Sequence, residues 1–185
     1  ENKQIENNFP SKILSAKIKD DIFLRSEIEK AANIPSRSIL FNIDQKASII
    51  SKQEIDALLT VFQSVLDQMC GYFSEGYIAK FERDLDKKGV LKDFKEEFTK
   101  YSSDGISWEE GRELVTFEIE AVTKAFAKAT NQNESSCENI IDTYMNNYKV
   151  SIDDFAKQVK EFIDQQDDNF RLNFFVDEVG QFIAD

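Results

Sequence analysis

Along most of this chain apolar residues recur at threes and fours, the spacing that lays them on one face of a helix. The clearest run is Ser51 to Phe73. Ile55, Leu58, Leu59, Phe62, Val65, Leu66, Met69, Cys70 and Phe73 form an unbroken stripe there, the pattern of a helix packed against a sheet. Ser51 and Glu54 make an S-x-x-E capping box at its start, and Gly71 and Gly76 bracket its end. Shorter helices follow. Ile78, Phe81 and Leu85 mark one that Gly89 stops, and Leu91, Phe94, Phe98 and Tyr101 mark the next, closed by "SSDG". A second capping box, Ser107 with Glu110, leads through Trp108 into Val115, Ile119, Val122 and Phe126. After the polar loop "TNQNESS" come Ile140, Ile141, Tyr144, Met145 and Tyr148. Ser151 with Asp154 caps a last long helix whose buried face is Phe155, Val159, Phe162 and Ile163, broken by "QQDDN". The helical spacing of these aromatic residues favours core packing over cofactor or base stacking.

Nearer the start, Ile22, Leu24, Ile28 and Ala31 or Ala32 give a modest helical pattern. Pro35 should stop it, because proline disfavours α geometry in the residue before it. The opening "ENKQIENNF" is polar and reads as a poorly anchored start. Two short runs depart from helical spacing. "SRSILFNID", with Ile39, Leu40, Phe41 and Ile43, is short enough for a buried strand. In "FRLNFFVDEV", Leu172, Phe174 and Val176 alternate with Asn173 and Phe175, so a strand there is buried on one face and nearly so on the other.

Composition fits that picture. Two prolines and six glycines leave few loops, so the expected fold is mainly α with a small β element. With 41% hydrophobic residues and 16 phenylalanines, 185 residues suffice for one sizeable core, or a core with a helical appendage. The net charge of −12, with no cluster of Lys or Arg, argues against a nucleic-acid-binding surface. Solubility accounts for the acidity most simply; attraction for a basic partner surface is the sharper account. Two cysteines, Cys70 in an apolar stripe and Cys137 opening a helix-like segment, read as reduced thiols of a cytoplasmic protein. The absence of histidine excludes His-dependent nucleophilic catalysis within this chain and argues against structural zinc. No apolar run approaches the ~20 residues that cross a bilayer.

The chemistry concentrates at Asp177 and Glu178, directly after the second strand. In open α/β sheets the carboxyl ends of the strands form the ligand-binding edge. An apolar strand ending in Asp-Glu is the Walker B pattern of P-loop NTPases. There, Asp177 would hold the Mg²⁺ that bridges ATP phosphates, by way of a coordinated water, and Glu178 would orient and deprotonate the attacking water. The plainer reading makes Asp177 the N-cap of a helix starting at "EVGQFIA". A phosphate-cradling G-x-x-x-x-G-K-[ST] is missing from these residues, so they do not close a nucleotide site.

Four blocks in order, "SILFNIDQKA", "GYIAKFERDLDKKG", "YKVSIDDFAKQVKEFIDQQ" and "NFRLNFFVDEVGQFIAD", resemble the BrxC/PglY family. Those are large P-loop ATPases of the BREX bacteriophage-defence system, and the resemblance runs from about Ile22 to Asp185. It implies a piece of an AAA+-like α/β module whose P-loop lies upstream of residue 1, with Asp177 and Glu178 as the Walker B pair. By the same analogy the strands near Ser38–Ile43 and Arg171–Val176 are parallel neighbours. The organisation implied is residues 1–50 with a helix and the first core strand, 51–76 as the core helix, 77–166 as a large helical insertion, and 167–185 as the Walker B strand and following helix start. ATP and Mg²⁺ belong to the full-length protein and none is expected on this piece, which is expected to be inactive alone. Other phage-defence subunits or self-association are the implied partners, in a bacterial cytoplasm, without membrane or direct nucleic-acid contact.

Two other readings stand beside this one. In the first, the chain is a helical protein–protein interaction module, and the Asp-Glu pair only caps a helix. In the second it is a Mg²⁺-dependent nuclease in which Asp44, followed by Gln45 and Lys46, converges with Asp177 and Glu178.

Overall fold

A computed structural model describes residues 9–18, 20–43 and 57–180. The chain divides into two compact units, Gln45–Ala156 and the pair of segments Glu1–Asp44 with Lys157–Asp185. The fold is mainly helical with one small parallel sheet.

The first segment contributes α1 (Phe9–Lys17), α2 (Ile22–Ala32) and β1 (Ser36–Asn42). α1 is an element that the polar opening gave no reason to expect. α2 begins where Asp21 accepts the Leu24 N–H at 2.9 Å, and Asn33, two residues before Pro35, caps its end. The apolar residues of α2 are not core: Ile22 and Phe23 are 83% and 75% exposed, and α1 packs against α2.

The helical unit holds α3 (Ala57–Met69), α4 (Gly76–Lys87), α5 (Leu91–Tyr101), α6 (Trp108–Gly111), α7 (Ile119–Thr130) and α8 (Ile140–Asn147). The Ser51–Glu54 capping box lies outside the described residues. α3 stops at Met69, short of Phe73, and it packs against α4. Its buried face is also rotated from the expected stripe: Val61, Gln63, Val65, Leu66 and Asp67 are buried, while Leu58 and Cys70 are exposed. The reason is polar. Asp67 takes hydrogen bonds from Gln63 Nε2 at 3.0 Å and from the Arg83 guanidinium of α4, so the side of α3 that meets α4 carries an ion pair.

α4 and α5 follow the expected spacing, and Ile78, Phe81, Leu85, Phe94 and Phe98 are all buried. Gly89, at φ +73°, ends α4 in the left-handed region, and Val90 N–H then closes on Leu85 O at 3.0 Å. The capping box at Ser107 forms in both directions. The single run expected from Trp108 through Phe126 does not form: α6 lasts four residues, a 3-10 stretch covers Arg112–Phe117, and α7 starts afresh at Ile119. Leu114, at φ −126°, breaks the path. A tight aromatic cluster fills the core: Phe81 meets Phe94, Trp108, Phe126 and Tyr144 at centroid distances of 5.1, 5.9, 5.7 and 5.3 Å.

α9 (Ile152–Asp164) begins in the helical unit, capped by Ser151, whose Oγ accepts the Asp154 N–H at 3.1 Å. Phe155, Val159, Phe162 and Ile163 are half-buried, less than the sequence suggests. β2 (Arg171–Asp177) pairs with β1 in parallel, as the resemblance implies. None of the described helices is long and apolar enough to cross a membrane.

Candidate functional site

The parallel register sets the rim where the carboxylates lie. Ser38 pairs with Asn173, Leu40 with Phe175, and Asn42 with Asp177, so the last residues of both strands finish side by side. Alternation puts these positions on one face of the sheet and Ile39, Phe41, Phe174 and Val176 on the other. The second face is covered to differing degrees, with Phe41 only 7% exposed. The first is open: Leu40 is 78% and Phe175 55% exposed, and Asn173 Nδ2 donates to Ser38 Oγ at 3.4 Å. The sequence pointed to near-complete burial on both faces. Two apolar positions, Leu40 and Phe175, contradict that for the described residues.

Asp177 is exposed and Glu178 is half-buried. Asp177 Oδ1 accepts the N–H of Glu178 at 2.9 Å. An ordinary cap would instead accept from the second or third helical N–H. Glu178 itself sits at φ +61°, in the left-handed region, which costs a side chain other than glycine about 1 kcal/mol. The chain thus turns sharply between the strand and the helical residues Val179 and Gly180, and both carboxylates lie on that turn.

Asp177 Oδ2 has no protein partner among the described residues. An exposed carboxylate with a free oxygen fits a hydrated Mg²⁺, which keeps several waters and takes one or two carboxylates besides phosphate oxygens. It does not make a stand-alone metal site. No group of three or more carboxylate, Cys or His side chains converges among the described residues. Asp44, the third carboxylate of the nuclease reading, lies outside them.

Sequence reasoning missed two buried ionic groups in the helical unit. Glu82 is 1% exposed and accepts three bonds: from Trp108 Nε1 at 2.6 Å, Arg112 Nη1 at 2.7 Å and Phe73 N at 2.6 Å. Arg112 also lies over the Phe73 ring, 5.0 Å from its centroid. Asp67, equally buried, pairs with Arg83, whose guanidinium stacks over Tyr72 at 5.5 Å. A signal was available. Glu82 falls inside the apolar stripe of Ile78, Phe81 and Leu85, at the i+4 position where a solvated carboxylate does not belong. These groups organise the fold and are removed in sequence from the carboxylate pair.

No family model matches this chain, and no solved structure matches it.

Proposed function

We propose that this chain carries the Walker B strand of an AAA+-like P-loop ATPase of the BrxC/PglY type, serving BREX bacteriophage defence. The parallel pairing of β1 with β2, in a register that sets Asn42 beside Asp177 at the carboxyl rim, is the observation that carries the reading. Only a crossover joins parallel strands, and here a long helical segment lies between them. The strained turn at Glu178 also supports it, since left-handed backbone in residues other than glycine gathers at functional sites.

In this reading Asp177 would hold Mg²⁺ by way of a coordinated water, and Glu178 would orient the attacking water and take its proton. Bound Mg-ATP supplies the phosphoryl group and the neutralising charge. The phosphate cradle and its lysine come from residues outside this sequence, so these residues bind nucleotide weakly or not at all by themselves. The protein acts in the bacterial cytoplasm, with other defence subunits or copies of itself.

Full-length protein carrying Glu178→Gln should keep its ATP affinity and lose hydrolysis by about 100-fold or more, the scale of general-base catalysis. Undiminished turnover would remove Glu178 from that role. The coding frame should hold a G-x-x-x-x-G-K-[ST] motif within roughly a hundred residues upstream of Glu1. Its absence would leave the helical interaction module as the better reading.

A further inference from the structure

The 3-10 stretch Arg112–Phe117 holds two large apolar side chains out of the core. Leu114 is 61% exposed and Phe117 81%, while Val115 between them is 3% exposed. Leu114 puts a bend into the stretch, with Phe117 beyond it. The stretch is fastened on both sides of them. Arg112 is tied to the buried Glu82, and Glu118, 7% exposed, accepts the Ser103 N–H at 3.1 Å. Phe117 is therefore presented by a fixed backbone.

Ile119, two residues on and 37% exposed, lines a groove with Glu120, Thr123, Lys124, Glu134 and Glu138. The Lys124 ammonium is taken by Glu120 at 2.5 Å, and neither Glu134 nor Glu138 makes an ion pair among the described residues. From Glu109 to Glu138 the sequence has seven glutamates against three basic residues. With Glu109 paired to Lys95, Glu120 to Lys124, Arg112 to Glu82, and Glu118 buried, the exposed charges left are Glu110, Glu113, Glu134 and Glu138 against Lys128.

We propose that Leu114, Phe117 and the adjoining acidic groove form a docking surface for a basic amphipathic segment of another protein. The apolar side chains supply contact area that a monomer gains nothing by exposing, and the carboxylates select the sign of the partner. Phosphate-bearing surfaces, whether nucleic acid or anionic lipid, are repelled. A second copy of the chain would bring the same acidic surface against itself. A helical segment with apolar residues on one face and Lys or Arg flanking them matches both features. This surface is independent of the Asp177–Glu178 pair and goes beyond the ATPase reading.

The test uses the full chain and a labelled helical peptide of Leu and Lys at amphipathic spacing, followed by fluorescence anisotropy and amide chemical shifts. The peptide should bind, with the largest shifts confined to residues 114–138. Phe117→Ser should weaken binding about tenfold or more, the scale of burying one aromatic side chain, while far-UV dichroism and the melting temperature stay put. Glu134→Lys with Glu138→Lys should weaken it and flatten its salt dependence. The idea fails if the peptide does not bind, if Phe117→Ser leaves affinity intact, or if a Leu-Glu peptide binds as well. Sedimentation showing a dimer that Phe117→Ser dissolves would give the surface to a second copy and overturn it too.

Discussion

The helical unit and the two-stranded sheet treat their apolar residues in opposite ways. In Gln45–Ala156, Phe81, Phe94, Phe98 and Trp108 are fully buried against one another, and the buried carboxylates Asp67 and Glu82 are paired with Arg83 and Arg112. In the sheet, Leu40 and Phe175 sit side by side in register and both face solvent. A cluster of aromatic rings in mutual edge contact completes its own burial. A two-stranded parallel sheet does not, because such strands are ordinarily covered on both faces. The helical part is thus stabilised by its own residues, whereas the proposed catalytic pair rides on a sheet with one face open.

Core truncation should break this contrast most visibly. Phe81→Ala should cost about 3–5 kcal/mol in urea unfolding, since it empties the centre of the cluster. Phe175→Ser, on the open face, should cost less than about 1 kcal/mol. Equal costs would mean that the sheet face is buried in solution. Next comes the buried ion pair. Glu82→Gln should destabilise the helical unit by about 3 kcal/mol, because it strands the Arg112 charge away from water. Adding Arg112→Met should restore part of that loss; a double variant no more stable than Glu82→Gln would argue that packing, not charge, was lost.

The smallest effect is on alkaline titration. Burial first, then the hydrogen-bonded carboxylates Asp86 and Asp84, hold the Tyr72 and Tyr144 phenols well above their ordinary value of 10.0. Burial also raises Tyr77 and Tyr148. The folded state therefore keeps protons that the unfolded chain would release. Stability from these groups is fully present below pH 10 and declines as pH rises beyond it. Phenolate absorbance should lag behind that of free tyrosine and then rise together with unfolding. Full ionisation near pH 10 in the folded protein would contradict the burial of these rings.

Much of this was legible in the sequence. The periodic stripes located α4, α5 and α8, and the Ser107–Glu110 box marked a real helix start. The alternation of Leu172, Phe174 and Val176 marked a real strand, and the resemblance supplied its parallel partner. The misses have physical causes. Hydrophobic spacing does not say whether a face finds a neighbour, so Leu40 is expected inside and lies outside, and the modest pattern of α2 gives no sign that Ile22 and Phe23 stay exposed. Nor does it anticipate a charge drawn into the core by a partner far along the chain, as Arg83 draws Asp67 and Arg112 draws Glu82. The break at Leu114 closely follows Gly111, the last residue of α6, a stop signal that the apolar spacing runs through; anchors at Glu82 and Ser103 hold the chain there. At the carboxylate pair, the residues were plain to see while the turn that presents them was not.

The three bonds converging on Glu82 also bear on motion. One carboxylate holds the loop at Phe73, the helix start at Trp108 and the 3-10 stretch at Arg112. None of these segments frays without leaving the buried Glu82 carboxylate short of a hydrogen bond. Segments nearly forty residues apart in sequence should exchange their amide hydrogens as one cooperative unit, with a shared protection that the neighbouring surface helices lack.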